Sequence, residues 1–406
     1  MKTTEKNNET TNINKNIDLQ VDNIDNYLKD KNVALGITGG IAAIETPKIA
    51  RHLRRYGANV TAYMTSESQK FIGKASLEWA TEQHVVDELS GLAEHICKED
   101  LLLIAPATAN TISKIRNGIA DNAVTTLAAS ALGQKKPVLI APCMHNSLYN
   151  NPFFMQNLSE IEKYVDIIPP RFEEGKAKIA GLENIVGQVI RTLSTDSLKG
   201  KKILVTAGPT PVPIDSVRRI TNRFKGAIGI MIASELYLRG ADVKLLLGNE
   251  SIKVPSYLDV TIHKDYDSYY KNTFQELQKG YDIGIFSAAV ADYKPTVVFD
   301  GKIASGGNLK LDLVPTKKVI DEVRNKYPEL YMVTFKYTIG KSYEELLDIA
   351  QKRTEKFNMV IANRGEEMID KHSAYIVTAK GMIANPQNNK EIAKTLANML
   401  GEIYKK

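Results

Sequence analysis

Cysteine and tryptophan are scarce in this chain of 406 residues, which contains two cysteines and one tryptophan. Two cysteines cannot build a disulfide framework, so a reducing compartment is favoured and a cytoplasmic protein is predicted. No stretch approaches the ~18 apolar residues of a membrane span, and the Asn- and Lys-rich start lacks the apolar segment of a secretion signal. The net charge of +6 is small and interspersed with acidic residues. This pattern argues against a nucleic-acid-binding face or a membrane partner.

The composition is that of an ordinary globular enzyme, with 43% hydrophobic and 25% charged residues. The length exceeds what one hydrophobic core usually organises, so two domains are expected. We predict a polar tail with a short helix near Ile17–Tyr27 within residues 1–30, a first domain over residues 31–193, a linker over residues 194–200 and a second domain over residues 201–406.

Both halves open with the same pattern of a charged residue, a short apolar run, a glycine turn and a helix-like stretch. The apolar runs are Lys31–Gly36 and Lys201–Ala207, and the helix-like stretches end near Gly57 and Gly240. Because near-continuous apolar runs suit strands covered on both faces, the fold class predicted is α/β, with two doubly wound, Rossmann-like domains. Further strands are predicted over residues 100–105, 137–141, 281–286, 331–335 and 358–362, and a helix over residues 184–191.

Two segments of the first half are candidates for ligand binding. The glycine turn Thr38–Ala43 can present backbone N–H groups to an anion, although most α/β folds have such a turn and the spacing G-x-G-x-x-G is missing. The segment Ala105–Thr111 has small side chains beside Thr108 and Asn110. It could lie against a flat ring, or it could simply cap a helix.

Isolated reactive residues of the first half have competing interpretations. His145 and Asn146 follow a predicted strand on a loop, where polar residues more often bind than pack. Cys143, between Pro142 and Met144, is more typical of a buried residue than of a nucleophile. His95 alone is more typical of a surface or packed residue.

These motifs occur in an order that resembles the phosphopantothenoylcysteine decarboxylase family of FMN-binding flavoproteins. The motifs are T-G-G-I-A-A, His95-Ile96, A-P-A-T-A-N, Gly118–Asn122 and P-x-M-(N/H), and the resemblance covers Asn32 to Leu193. It implies a flavodoxin-like domain, with His95 as a catalytic base and His145 or Asn146 contacting the substrate carboxylate. It also implies that FMN is bound by Thr38, Gly39, Gly40, Ile41, Ser66, Ala105, Pro106, Ala107, Thr108 and Asn110.

The second half carries its own set of polar loops. Thr206–Thr210 and Asp215–Asn222 combine a glycine turn with arginines, as phosphoryl recognition requires. In Ser287–Tyr293, Asp292 could bind a magnesium ion or a ribose. Lys302 lies on a loop, where a lysine is usually just solvated.

Together these segments resemble phosphopantothenate–cysteine ligases from Lys201 to Thr378, and the whole chain resembles the bifunctional proteins of coenzyme A biosynthesis, of archaeal type. The resemblance implies that CTP, with Mg²⁺ held in part by Asp292, activates 4′-phosphopantothenate as an acyl-cytidylate, which cysteine then attacks. FMN-dependent decarboxylation would follow and yield 4′-phosphopantetheine. Asn222 would contact the acyl intermediate and Lys302 the phosphates. The nucleotide-binding residues implied are Gly208, Ser287, Ala288, Asp292, Lys302, Pro315, Thr316, Lys317, Lys318, Phe335, Arg353 and Lys356. The same resemblance implies a homo-oligomer, with trimeric flavodomains and dimeric ligase domains.

Several departures from the family patterns leave alternatives open. His145 stands where an asparagine is usual, and the flap segment Glu174–Gly181 lacks its usual cysteine. Lys176, Lys178 or water could then deliver a proton. The alternative is a ligase whose flavodomain is a non-catalytic FMN-binding oligomerisation module. In the ligase half, Phe224, Lys225, Ala304, Ser305 and Arg364 also differ from the usual residues, which leaves the nucleotide preference open.

Overall fold

The computed structural model describes residues 19–248, 251–367 and 373–405. The chain divides into two compact units between Leu193 and Ser194.

The first unit is built on a five-stranded parallel sheet, in the order β2-β1-β3-β4-β6, with helices around it. This order matches the flavodoxin-like type of doubly wound sheet, whose ligands bind between β1 and β3. Its strands are β1 (Asn32–Ile37), β2 (Asn59–Met64), β3 (Leu101–Ala107), β4 (Val138–Pro142), β5 (Met144–His145), β6 (Asp166–Ile167), β7 (Arg171–Glu173) and β8 (Lys176–Lys178). Its helices are α1 (Thr46–Arg55), α2 (Lys74–Thr81), α3 (Ala109–Arg116), α4 (Ala123–Gly133), α5 (Asn146–Tyr149), α6 (Pro152–Ile161) and α7 (Leu182–Leu193).

The second unit contains an eight-stranded sheet in the order β13-β12-β9-β14-β17-β18-β19-β20. The first six strands run parallel and the last two pairings are antiparallel. Its strands are β9 (Lys202–Ala207), β10 (Val212–Pro213), β11 (Arg219–Ile220), β12 (Asp242–Leu247), β13 (Asp259–Ile262), β14 (Ile283–Phe286), β15 (Tyr293–Pro295), β16 (Leu313–Pro315), β17 (Tyr331–Thr338), β18 (Met359–Arg364), β19 (Tyr375–Thr378) and β20 (Gly381–Ala384). Its helices are α8 (Ala227–Leu238), α9 (Tyr266–Leu277), α10 (Val319–Lys326), α11 (Tyr343–Arg353) and α12 (Asn389–Tyr404).

The central strands are apolar along their whole length because helices cover both faces of each sheet. Every residue of β3 is buried, and so is every residue of β14. Several helices begin at side chains that accept backbone N–H groups, such as Asn122 before α4 and Ser342 before α11. These caps satisfy N–H groups that have no partner within the helix. The α/β fold class, the seven predicted strands and the helix near residues 184–191 are therefore confirmed.

Two expectations for the chain between elements are wrong. The helix expected near Ile17–Tyr27 falls partly outside the described residues. From residue 20 to residue 26 the backbone is not helical, because it bonds to α1 instead, with Ile24 N donating to Arg55 O at 2.8 Å. The expected linker over residues 194–200 packs within the second unit, since Leu198 is fully buried in its core and Ser197 Oγ donates to Gly401 O at 2.6 Å.

Within the described ranges, no helix is both long enough and apolar enough to cross a membrane.

Candidate active sites

A cleft of about 1050 Å³ opens at the carboxyl ends of β1, β3 and β4 in the first unit. Segments that are distant in sequence line it, among them the glycine turn after β1, the segment after β2, the start of α3, the loop after β4 and the hairpin β7–β8. Among the predicted residues, those that line the cleft are Gly39, Gly40, Ile41, Ser66, Thr108, Asn110 and His145. The topology thus brings most of the predicted cofactor residues to one place.

The glycine turn closes tightly against the segment that follows β2. A Cβ atom added to Gly39 would lie 2.5 Å from Cβ of Glu67, so only glycine fits there without displacing that segment. Gly40 precedes a short 3₁₀ helix, Ile41–Glu45, which leads into α1. The first N–H groups of a helix have no intrahelical partner and can bind an anion. The turn therefore suits the phosphate of a flavin nucleotide.

The segment after β3 joins the glycine turn through a hydroxyl. Thr38 is buried; its Oγ1 donates to Pro106 O at 2.8 Å and accepts from Thr108 N at 3.0 Å. Thr108 caps α3, as the simpler interpretation predicted, and it also lines the cleft. Ala105, Pro106 and Ala107 are fully buried within β3 or at its end and do not line the cleft. These three residues set the backbone path from which Thr108 and Asn110 reach it.

A three-stranded antiparallel sheet ties the loop after β4 to the hairpin β7–β8, which we call the flap hairpin. In this sheet Met144 pairs with Ala177 and His145 with Lys176. His145 Nδ1 accepts from Ser147 N at 3.2 Å, and the tautomer that fits this bond carries its ring proton on Nε2. His145 also lines the cleft. Asn146 N donates to Gly175 O at 3.2 Å, and the Asn146 side chain does not line the cleft.

The flap hairpin lacks a cysteine, but a thiol from the neighbouring loop lines the same cleft. Cys143 is half-buried, its N donates to Ala107 O at 3.0 Å, and Ile179 beyond β8 lies against its sulfur. Burial raises the pKa of the Cys143 thiol. The thiol therefore stays protonated at neutral pH.

The flap lysines differ in their surroundings. Lys178 contacts the carboxylates of Glu173 at 3.2 Å and Glu174 at 2.9 Å, with Glu174 first among the groups that raise the pKa of Lys178. A lysine paired in this way is a weaker acid than a free one. Lys176 also lines the cleft, and it forms no ion pair with the residues described in this structure.

His95 lies apart from the cleft of its own chain. It is exposed on the turn between Gly91 and Cys97, and it does not line the cleft. Its neighbours Leu92 and Ile96 are also exposed, 79% and 45% respectively. A role at the cleft would therefore require His95 to act on a second copy of the chain.

In the second unit, three glycines allow the turn after β9 to meet the start of α8. Gly208 has φ +78°, and a Cβ atom on it would lie 2.9 Å from Gly248 N. A Cβ atom on Gly226, at φ +93°, would lie 2.8 Å from Gly208 N. Such backbone contact is available only to glycine. The N-terminus of α8 consequently packs against the carboxyl ends of the central strands.

The loops predicted to bind the nucleotide meet beside this helix end. Asn222 Nδ2 donates to Ala289 O at 2.8 Å, and Ala291 N donates to Thr210 Oγ1 at 2.8 Å. Thr316 Oγ1 donates to Ala291 O at 2.6 Å. Hydrogen bonds therefore unite the segments around Thr210, Asn222, Ala289 and Thr316. Ser287 bonds to Thr206 O at 2.7 Å beneath them.

Asp292 forms an ion pair with Lys318 in the same group of loops, where Pro315 and Lys317 are exposed. Across the part of the chain that the structure describes, no three His, Cys, Asp or Glu side chains form a metal-binding cluster. Asp292 alone could contribute one ligand to a magnesium ion that nucleotide phosphates also hold.

Three predicted nucleotide residues do not join this group. Phe335 lies within β17, half-buried against the hydrophobic core. Arg353 ends α11 and stacks on Phe357 at 5.2 Å, and Lys356 pairs with Asp321 at 2.9 Å. Both cations precede the amino end of β18, whereas ligands of such sheets bind at the carboxyl ends. Arg353 and Lys356 therefore lie apart from these loops in the single chain, and their nucleotide-binding role stays a prediction.

Sequence reasoning missed several residues that the fold brings to the two sites. Arg171, Lys48 and Lys114 line the first cleft, and Gly248 completes the glycine contact in the second unit. Only Gly248, directly after a strand, carried a signal that could have been used. The three cationic residues lie on helices or short strands, and tertiary packing decides which side of each element is turned toward the cleft.

Comparison with known proteins assigns each half to a family. Residues 23–194 match the Flavoprotein family model, and residues 198–403 match the DNA/pantothenate metabolism flavoprotein C-terminal domain. The coenzyme A biosynthesis bifunctional protein CoaBC of Thermococcus kodakarensis is 42% identical, over 83% of this chain and 86% of that protein. Its counterpart from Methanocaldococcus jannaschii is 36% identical, over 93% and 95%. The solved DNA/pantothenate metabolism flavoprotein from Streptococcus pneumoniae is 27% identical, with a TM-score of 0.46, over 50% of this chain and 100% of that one.

Proposed function

This chain belongs to the family of coenzyme A biosynthesis bifunctional proteins, and from that premise we propose that its two units catalyse consecutive reactions. The second unit couples 4′-phosphopantothenate to cysteine, and the first decarboxylates the phosphopantothenoylcysteine formed, giving 4′-phosphopantetheine. The observation that carries the proposal is the single cleft in which the glycine turn, the His145 loop and the flap hairpin meet. We place the reaction in the cytoplasm, since the chain has only two cysteines.

FMN fits the first cleft, because Gly39 leaves no room for a side chain beside Glu67 and the following helix start offers N–H groups. We assign the phosphate to Gly39, Gly40 and Ile41, and the remainder to Ser66, Thr108 and Asn110. When bound, FMN supplies the two-electron redox chemistry that makes loss of the carboxylate easy.

The chain's own residues bind the substrate and move one proton. His145 Nε2–H donates to the carboxylate of the substrate, and the flap hairpin covers the cleft against water. When the C–C bond to the carboxylate breaks, CO₂ leaves and one proton must take its place on carbon. We assign that proton to the Cys143 thiol, which lines the cleft and stays protonated, and the resulting thiolate regains a proton from solvent.

In the second unit, the carboxylate of 4′-phosphopantothenate attacks CTP, which gives an acyl-cytidylate and releases pyrophosphate. Asn222 contacts the acyl group and Lys302 neutralises the departing charge. Asp292 would hold a Mg²⁺ ion together with the nucleotide phosphates, and the ion would supply further positive charge there. Gly208 and the segment Ser287–Ala288 approach the nucleotide with their backbone. The support is the hydrogen-bonded junction of these loops beside the start of α8.

Product analysis tests both activities. The full chain is incubated with 4′-phosphopantothenate, cysteine, CTP and Mg²⁺, and the products are weighed by mass spectrometry. We expect 4′-phosphopantetheine with one CO₂ per ligation. Accumulation of phosphopantothenoylcysteine without CO₂ would instead support a ligase whose first unit is a non-catalytic FMN-binding oligomerisation module, and the absence of any ligation would overturn the proposal altogether.

A further inference from the structure

Asp215 is a buried carboxylate in the second unit to which the proposed chemistry gives no task. It lies in the turn between β10 and β11, two strands that pair antiparallel, and its side chain is completely shielded from solvent. A carboxylate is rarely buried unless hydrogen bonds satisfy it. Its partners therefore indicate what it does.

The two oxygens of Asp215 have different partners. Oδ1 accepts from the backbone N–H groups of Val217 at 2.8 Å and Arg218 at 2.6 Å, which closes the turn. Oδ2 accepts from Arg218 Nη1 at 2.7 Å and from Ile303 N at 3.1 Å. Ile303 is 88 residues further along the chain. One oxygen thus shapes the turn, and the other joins it to the loop that carries Lys302.

Further hydrogen bonds reinforce this contact, which we call the Asp215 junction. Ser216 N donates to Gly301 O at 3.1 Å, and Arg218 Nη1 also donates to Ile303 O at 3.2 Å. The residues on both sides of Lys302 are therefore bonded to the turn. The backbone of Lys302 is fixed while its side chain stays exposed.

The charge of Asp215 keeps the junction intact. Burial alone would raise the pKa of Asp215, but the N–H groups of Arg218, Val217 and Ile303 and the Arg218 guanidinium together lower it to about 2. Hydrogen bonds to an ionised acceptor are roughly twice as strong as neutral ones. The carboxylate is consequently ionised throughout the neutral range.

We propose that Asp215 is a positioning residue of the ligase site, fixing the Lys302 loop against the β10–β11 hairpin that leads to Asn222. The inference rests on the proposed roles of Lys302 and Asn222. Asn222 lies two residues beyond β11 and is held to Ala289 by its own hydrogen bond. Phe299 N also donates to Ile214 O at 2.9 Å, so backbone bonds hold the two segments together, and Asp215 adds the charged hydrogen bonds next to Lys302.

The test is Asp215→Asn in the full chain. The asparagine keeps one oxygen for the turn and presents an NH₂ group to the two donors that face Oδ2, so the junction is lost selectively. We expect kcat for pyrophosphate release to fall about tenfold to a hundredfold, with a smaller change in KM. Decarboxylation of added phosphopantothenoylcysteine should be unchanged. Hydrogen exchange at the Ile303 amide should accelerate.

Asp300→Asn is the matched control, because among the described residues Asp300 accepts only the N–H of Gly301 within the same loop, at 3.0 Å. A double-mutant cycle with Lys302→Ala adds the decisive comparison, since the effects of two substitutions on kcat are not additive in free energy when one residue acts through the other. In the Lys302→Ala background, Asp215→Asn should lower kcat for pyrophosphate release only slightly further. If the two reductions in kcat multiply, or if Asp215→Asn alone has the wild-type kcat, the inference is overturned. If the unaltered chain released no pyrophosphate, the proposed function would fail, and the Ile303 exchange rate would still decide whether Asp215 fixes the loop.

Discussion

The structure changes the interpretation of Cys143 that the sequence alone suggests. Between Pro142 and Met144 it is typical of a buried residue, and half of it is indeed covered. Nevertheless it lines the cleft at the edge of the flap hairpin, whose own sequence has no cysteine. Burial raises the pKa of the thiol and so keeps its proton available.

Cys143→Ser should slow formation of 4′-phosphopantetheine about a hundredfold, the contribution typical of general acid catalysis. The reason is that an alcohol is a far weaker proton donor than a thiol. The measurement is single-turnover product formation with the FMN content matched to wild type. Cys97→Ser serves as the control, because Cys97 is buried outside the cleft. A wild-type rate for Cys143→Ser, paired with loss of activity in Lys176→Ala, would transfer the role to the lysine.

At the scale of elements, the long buried strands could be predicted and the short ones could not. An apolar run such as residues 101–104 is fully buried and can hardly be anything but a central strand. Strands β5 and β8 have two and three residues, too few for any periodicity. They exist because Met144 pairs with Ala177 beside the cleft. Asp215 could not be interpreted either, since its partner Ile303 is distant in sequence. The local hydrophobic pattern predicts the long strands of the sheets, whereas the two sites depend on contacts between residues that are distant in sequence.

Pairing of the flap hairpin can be tested at Ala177, which is fully buried in the middle of β8. Ala177→Pro removes an N–H group and should detach the hairpin from the His145 loop. Decarboxylation should then fall at least tenfold while pyrophosphate release by the other unit is retained. Glu174→Gly is a suitable control, since Glu174 has φ +51°, a conformation that glycine adopts readily. Full decarboxylation by Ala177→Pro would show that the pairing is dispensable.

The whole molecule raises the question of how His95 contributes. It is exposed and absent from the cleft of its own unit, and the neighbouring Leu92 and Ile96 are exposed apolar side chains. Apolar groups clustered around a polar one are typical of interaction surfaces. We propose that His95 serves the cleft of a second copy in a homo-oligomer, trimeric for the flavodomain as the resemblance implies.

Complementation tests that arrangement. His95→Ala and Cys143→Ser chains are each expected to decarboxylate poorly. After mixed assembly, a cleft with intact Cys143 can receive an intact His95 from its neighbour, so part of the activity should return. Each variant assembled alone is the control, and native mass spectrometry verifies that mixed oligomers formed. Mixed oligomers that remain as inactive as the separate variants would show that His95 does not act on the cleft of a neighbouring copy.

The packing of residues 194–200 has a practical consequence for anyone who wishes to express the two activities as separate polypeptides. Leu198 is wholly enclosed by the second unit, and Arg239 pairs with Asp196 at 3.2 Å. A gene fragment started at Gly200 would therefore encode a ligase with a gap in its core, at a cost of about 2 to 5 kcal/mol for a lost leucine side chain. The cloning boundary belongs before Ser194, where the chain passes from one unit to the next.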